Sequence, residues 1–273
     1  MIIDGKAIAA DILSEVKSGV SVLAQPPRLM VFTCAPNFET QKFLALKQKR
    51  AYEVGIMIQV VLLPKDSTTE TVVAAISSAV LECDGIIVQL PFPQHIMASE
   101  ILATVPLSHD VDALSYVGGE TEVLPPVPGA IDAIARANGV DWVGKRVVIV
   151  GNGRLVGAPA AAYAETKGAV VTVVVKDTPN TAEAIASADV LILGAGVPGL
   201  VTAAMVTPGV IVFDAGTSEE GGMLVGDAVP DVADKASIFT PVPGGVGPIT
   251  IAILLKNVLY LAQEHRKKSH GVV

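Results

Sequence analysis

The chemistry this chain is equipped for can be read from five short segments. The first is KRVVIVGNGRLVGAPAAA at residues 145–162. A charged lead-in runs into an apolar stretch, 147–150, then three glycines, Gly151, Gly153 and Gly157, and a small-residue segment able to be helical. A buried parallel strand reads as a continuous apolar run, and glycine lets the backbone turn sharply and approach a ligand closely. The free N–H groups opening a helix would face that turn and favour an anion such as a pyrophosphate. The spacing, G-x-G-x-x-x-G, is one residue longer than the usual dinucleotide fingerprint. A tight strand-to-helix turn without a ligand is the competing reading.

KFLALKQKR at 42–50 sets Lys47 one helical turn after Phe43, on a shared face. Most helical lysines are solvated, whereas one turned into a cleft loses hydration, which lowers its pKa and suits it to proton handling. DGIIVQLPFPQHI at 84–96 ends an apolar run at Gln89. That puts a carboxamide at the C-terminal edge of a sheet, where open α/β folds bind small ligands, or in a loop whose backbone groups it satisfies. HDVDAL at 109–114 alternates Asp110 and Asp112 on one side of an extended segment. A carboxylate facing a cleft accepts hydrogen bonds from an aminopyrimidine ring; a solvated acidic turn is the plainer alternative. TPVPGGVGPIT at 240–250 is stiff at three prolines and open to close approach at three glycines, a density that points to ligand contact.

These segments must be positioned by regular elements, and the periodicity supplies them. Residues 7–20, 39–54, 67–81 and 249–264 have helical spacing. Residues 28–34, 57–63, 85–88, 147–150, 170–175, 190–193 and 210–213 read as strands. Proline-rich turns fall at 91–93 and 125–128. Alternating strands and helices imply an α/β fold with parallel sheets. A domain boundary is expected near 115–122, with a return crossing near Pro248.

Bulk composition narrows the function. The chain has 273 residues, enough for one or two domains, is 51% hydrophobic and only 4% aromatic, and suits Ala-rich helices on β-branched strands. A net charge of −8 without a long basic run argues against nucleic acid. Mean hydropathy is +0.57, yet no run of about 18 uninterrupted apolar residues exists, so no membrane span is expected. Cys34 and Cys83 lack metal-ligand spacing and read as buried free thiols in a reducing cytoplasm; no metal is implied.

Together VGNGRLVGAP, IVQLPFPQHI, DVDAL, KFLALKQK, TPVPGGVGPIT and the opening IIDGKAIA resemble the signatures of the bifunctional methylenetetrahydrofolate dehydrogenase/methenyltetrahydrofolate cyclohydrolase family. The likeness runs from about residue 2 to 262. It implies two domains around a cleft, the C-terminal one a Rossmann-type doubly wound parallel sheet, and a homodimer. Residues 1–118 with 250–273 would form the folate-binding catalytic domain and 119–249 the dinucleotide-binding domain. The implied reactions are hydride transfer from methylenetetrahydrofolate to NADP, then hydrolysis of the methenyl product to formyltetrahydrofolate. By the resemblance Lys47 is the catalytic lysine, Gln89 holds it and Asp112 anchors the pterin. Phe43 and Pro243 lie against the folate; Gly151, Asn152, Gly153, Lys176, Thr217, Gly247 and Thr250 face the cofactor.

The chain departs from that pattern in four places. Phe43 stands where the family usually has tyrosine, so the lysine loses a hydroxyl neighbour and slower hydrolysis is expected. Ala113 replaces the glycine of DVDG, and PPVP at 125–128 replaces PCTP. Asn152 replaces an arginine that binds the 2′-phosphate of NADP. Arg154 and Lys176 could supply that charge, whereas Asp177 would suit an NAD ribose, so NADP is the expected cofactor with NAD as the alternative. A dehydrogenase-only member, another two-domain NAD(P)-dependent dehydrogenase and a non-catalytic relative are the competing functions.

Overall fold

A computed structural model describes residues 1–269 of the chain. In order the elements are α1 (Gly5–Ser21), β1 (Arg28–Cys34), α2 (Phe38–Val54), β2 (Met57–Leu63), α3 (Thr69–Ala79), β3 (Gly85–Val88) and α4 (Ala98–Ala103). They continue as α5 (Pro126–Ala137), β4 (Arg146–Val150), α6 (Gly157–Thr166), β5 (Val170–Val174), α7 (Thr181–Ser187), β6 (Val190–Leu193) and β7 (Ile211–Asp214). The last are β8 (Ser218–Glu220), β9 (Met223–Val225), β10 (Ile238–Phe239) and α8 (Val246–Ser269).

The chain divides into two compact units. One comprises, of the described residues, 11–115 and 251–269 and holds a parallel sheet in the order β2-β1-β3. Its central strand β1 is buried from Leu29 to Cys34, because apolar side chains on both faces must be covered. Phe32, Ile76, Ile86 and Ile101 form the heart of the core on one face.

The other comprises 1–10 and 116–250 and holds five parallel strands in the order β10-β7-β6-β4-β5. The chain runs from β4 outward to β5, then returns to β6 on the far side of β4. The strand order therefore reverses between β4 and β6, the position at which open α/β sheets bind ligands beyond the strand C-termini. Val148, Val150, Leu191, Leu193, Val212 and Phe239 pack one face of this sheet.

The first ten residues cluster with the five-stranded unit, unlike the boundary drawn from the sequence. The cause is local pairing: Ile2 bridges Phe239, the Ile3 N–H donates to the Phe239 carbonyl at 2.9 Å, and the Gly5 N–H to the Gly244 carbonyl at 3.0 Å. PPVP is the first turn of α5 as well as a bend, since proline at a helix start gives up only an N–H that has no helical partner. Among the described residues α8 alone is long and apolar enough to cross a membrane, and 61% of its apolar window is buried inside the protein. Cys34 and Cys83 are both free and buried.

Candidate active site

In the three-stranded unit, α2 is fixed at both ends. The Asn37 side chain accepts from the Thr40 N–H at 2.8 Å, and Gly55 closes the helix in the left-handed region at φ 82°. Lys47 is thereby carried to Gln89, the residue after β3. The Gln89 N–H extends the sheet ladder to the Phe32 carbonyl at 2.8 Å. Its side-chain Nε2 donates to the Leu90 carbonyl at 3.2 Å, which turns Oε1 toward the lysine, and Lys47 Nζ donates to Oε1 at 2.8 Å.

The DVDAL segment reaches the same place by lying along β3. Ile86 bridges Asp110, and the Ile86 N–H donates to the His109 carbonyl at 2.8 Å. Gly85 lacks the Cβ that would press into Val111, and Asn257 Nδ2 on α8 donates to the Val111 carbonyl at 2.9 Å. Asp112 then faces Lys47 closely enough for the two charges to interact. Burial pulls the Lys47 ammonium below the usual lysine range against the attraction of Asp112, and burial raises Asp112 against the pull of Lys47. Phe43, on the same helix, is 46% exposed, so its ring is free to meet a ligand. Ala113 sits at φ 48°, a left-handed conformation costing an L-residue about 1 kcal/mol that glycine would avoid.

Asp110 does something the alternation alone did not indicate. It is buried, its Oδ2 accepts from the Leu114 N–H at 2.7 Å, and its Oδ1 has no partner. Burial first, and the Asp112 charge second, push its carboxyl up to about 6. A carboxyl raised on folding binds its proton more tightly folded than unfolded, so its ionisation costs stability above that pKa. Asp110→Asn is therefore expected to raise the melting temperature by several degrees near about pH 8 and to lose that gain near about pH 4. Calorimetry across pH checks this; an identical shift at both ends would mean that the charge is not the cause.

In the five-stranded unit the glycine turn follows β4 at the point of strand reversal. The Gly151 N–H donates to the Val174 carbonyl at 2.8 Å, and Gly151 lies at φ 99° against the backbone of Gly194 and Ala195. A Cβ on Gly157 would overlap the Gly151 carbonyl oxygen, so this glycine lets α6 start directly on the turn. No side chain caps α6. Above Gly153 there is open space. The cradle thus has room at one glycine and close backbone contact at two, an arrangement that fits a dinucleotide pyrophosphate.

The other positions that the resemblance assigns to the cofactor follow the C-terminal ends of strands in the same sheet. Asn152, Gly153 and Arg154 are exposed after β4, Lys176 after β5, and Thr217 after β7. Residues 240–245 follow β10; the Gly245 N–H donates to the Pro241 carbonyl at 2.7 Å, and Pro243 is exposed. Gly247 is exposed in the first turn of α8, where Thr250 Oγ1 donates to its carbonyl at 2.7 Å. Lys47, Gln89 and Asp112 are thus one group in one unit, and Gly151, Asn152, Gly153, Lys176, Thr217, Pro243, Gly247 and Thr250 belong to the other. Sequence reasoning missed Asp214 and Asp227, two buried acids of this unit, because an acid at the end of an apolar strand or between Gly226 and Ala228 looks like the start of an ordinary turn.

A doubly wound sheet with a glycine cradle at its reversal point, joined to a unit bearing a half-buried lysine bonded to a carboxamide and within electrostatic reach of a carboxylate, defines a dinucleotide-linked enzyme of the two-unit α/β class. Residues 3–112 match the family model described as tetrahydrofolate dehydrogenase/cyclohydrolase, catalytic domain, and 125–266 match its NAD(P)-binding domain. The bifunctional protein FolD of Campylobacter curvus is 37% identical over 100% of this chain and 99% of its own length. That of Heliobacterium modesticaldum is 35% identical over 94% of each. The crystal structure of the bifunctional FolD enzyme from Campylobacter jejuni superimposes with a TM-score of 0.94 at 35% identity, covering 97% of this chain and 99% of that one. The Trypanosoma brucei enzyme, complexed with NADP and an inhibitor, gives 0.92 at 34% identity over 98% of each. The chain belongs to the tetrahydrofolate dehydrogenase/cyclohydrolase family.

Proposed function

We propose that this chain oxidises methylenetetrahydrofolate by hydride transfer to NADP and hydrolyses the methenyl product to formyltetrahydrofolate. The observation that carries the reading is the Lys47–Gln89 hydrogen bond within electrostatic reach of Asp112, in a chain similar over its length to a Campylobacter jejuni enzyme named for both activities. Bound NADP supplies the hydride acceptor. The residues of this chain position the reactants and move protons.

Asp112 accepts hydrogen bonds from the aminopyrimidine of the folate, and the Phe43 ring lies against the substrate. Lys47 Nζ takes the proton of the water that attacks the methenyl carbon. Its lowered pKa keeps a larger neutral fraction available for that task, and Gln89 Oε1 aims it. The attack forms a carbon–oxygen bond, opens the bridging carbon–nitrogen bond and releases one proton. Residues 151–153 with the start of α6 take the pyrophosphate, and Thr217, Gly247 and Thr250 line the nucleotide site. Arg154 and Lys176, exposed at neighbouring strand ends, provide the positive charge for a 2′-phosphate that Asn152 lacks. Pro243 contacts the folate. The enzyme acts in the cytoplasm as a homodimer.

Spectrophotometry with methylenetetrahydrofolate and each nicotinamide cofactor tests this reading. Reduction of NADP with a higher kcat/KM than NAD is expected; reduction of neither would overturn it. Phe43→Tyr is expected to raise the hydrolytic kcat about tenfold while leaving hydride transfer unchanged, because it returns a proton-relaying hydroxyl beside Lys47. Hydrolysis rates of the two proteins on methenyltetrahydrofolate check it.

A further inference from the structure

The two buried acids of the five-stranded unit have no part in the chemistry above, yet they sit directly behind the dinucleotide edge. Asp227 is 0% exposed. Its carboxylate accepts three backbone N–H groups from one loop: Ala195 and Gly196 on Oδ2 at 2.6 and 3.1 Å, and Val197 on Oδ1 at 2.8 Å. Asp214, 1% exposed, holds the backbone around it, accepting from Gly216 at 3.0 Å, Asp227 at 3.2 Å and Ala228 at 2.8 Å. A Cβ on Gly216 would overlap the Asp227 carboxylate, and one on Gly226 the Asp214 carboxylate, so two glycines make the space both acids need.

The loop these groups hold is itself solvent-facing. Residues 195–198 are exposed and contribute nothing to the core, and Val197 remains 47% exposed. Burying a carboxyl group is costly unless hydrogen bonds compensate it, so a fully buried acid whose side chain bonds to an exposed loop secures the shape of that loop more than it adds stability. The place of that loop says what the shape serves. It follows β6, the strand beside β4 at the reversal point, and its Gly194–Ala195 backbone abuts Gly151 of the glycine turn. Ser218, after Thr217, donates from Oγ to the Gly196 carbonyl at 3.1 Å, tying in a third stretch of the same edge.

We infer that Asp227 is a positioning residue for the dinucleotide: through its three hydrogen bonds it pre-sets loop 195–197 in the conformation that NADP meets, with Asp214 holding Asp227 in place. This rests on the reading that the five-stranded unit binds NADP. Ordering the loop in advance removes that cost from binding, so its effect falls on nucleotide affinity more than on hydride transfer.

The test is equilibrium titration of wild type, Asp227→Asn and Asp227→Ala with NADPH, followed by its fluorescence, with thermal melting of the same samples. The dissociation constant is expected to rise about tenfold in Asp227→Asn, which keeps one acceptor oxygen, and about a hundredfold in Asp227→Ala. KM for NADP should rise in step while kcat at saturating NADP holds. Gly196→Ala provides a second route should the buried variants not fold: Gly196 is exposed at φ 67° with open space around it, so a methyl strains only the loop, and weaker NADPH binding is expected. Folded variants that bind NADPH as wild type does would overturn the inference. So would a reduced number of binding sites at unchanged affinity, the mark of a purely structural acid. Failure of the wild type to bind NADPH at all would instead strike the functional reading on which the inference stands.

Discussion

Lys47→Met is expected to lower hydrolysis of methenyltetrahydrofolate by roughly a hundredfold or more, while hydride transfer to NADP persists. The separation follows from what each step demands. Hydride transfer moves no proton through the protein and depends on holding two rings in register. Hydrolysis must remove a proton from water, and Lys47 is the half-buried amine bonded to Gln89 at 2.8 Å with Asp112 facing it. Burial lowers its pKa, so its neutral form is present at lower pH than for a solvated lysine. The neutral form is the proton acceptor; hydrolysis should therefore rise with pH and level off once Lys47 is deprotonated. Lys47→Arg keeps the charge but cannot lose its proton, so it should be as inactive as Lys47→Met. A Lys47→Arg variant that hydrolyses normally would make the lysine an electrostatic group instead of a base.

The second large effect is the converse. Gly157→Ala should weaken NADP binding and hydride transfer by about a hundredfold and spare hydrolysis of supplied methenyltetrahydrofolate. The new Cβ would overlap the Gly151 carbonyl oxygen and lie 2.7 Å from the Gly151 carbonyl carbon and 2.9 Å from the Asn152 Cα. All three are backbone atoms that no rotamer change can clear. The start of α6 must move off the β4 turn, and with it the N–H groups that favour the pyrophosphate. The hydrolytic residues are untouched, since they belong to the three-stranded unit. Separate assays of the two steps check this prediction; equal loss of both would point to general misfolding.

How much of this was legible in the sequence depends on whether a feature is local. The strands at 28–34, 57–63, 85–88 and 190–193 are found where the apolar runs place them; 85–88 and 190–193 are buried throughout, as unbroken apolar runs predict, whereas 57–63 is an edge strand that is only partly covered. Lys47, Gln89 and Asp112 lie far apart in sequence, and the resemblance, not their spacing, suggests that they act together; in the fold Lys47 bonds Gln89, and Asp112 lies within electrostatic reach of the lysine. The short strands β8, β9 and β10 were missed, since two or three residues carry no readable period. The placement of residues 1–10 depends on hydrogen bonds to Phe239 and Gly244, across more than two hundred residues of chain. Asp110 and Asp112 looked equivalent by alternation, yet only the fold shows that one carboxylate is buried on the Leu114 N–H while the other faces Lys47. Asp227 was invisible for the same reason, its three partners lying some thirty residues upstream.

The central claim is that one chain carries both steps, with Lys47 serving only the second. Progress curves from methylenetetrahydrofolate and NADP, following NADPH and the methenyl intermediate together, test it most directly. Wild type should form NADPH and drain the methenyl signal faster than buffer alone. Lys47→Met should form NADPH at the same rate while the methenyl signal builds in step with it and decays only as fast as in buffer. A Lys47→Met protein that clears the intermediate like wild type, or a wild type that forms no NADPH, would contradict the account.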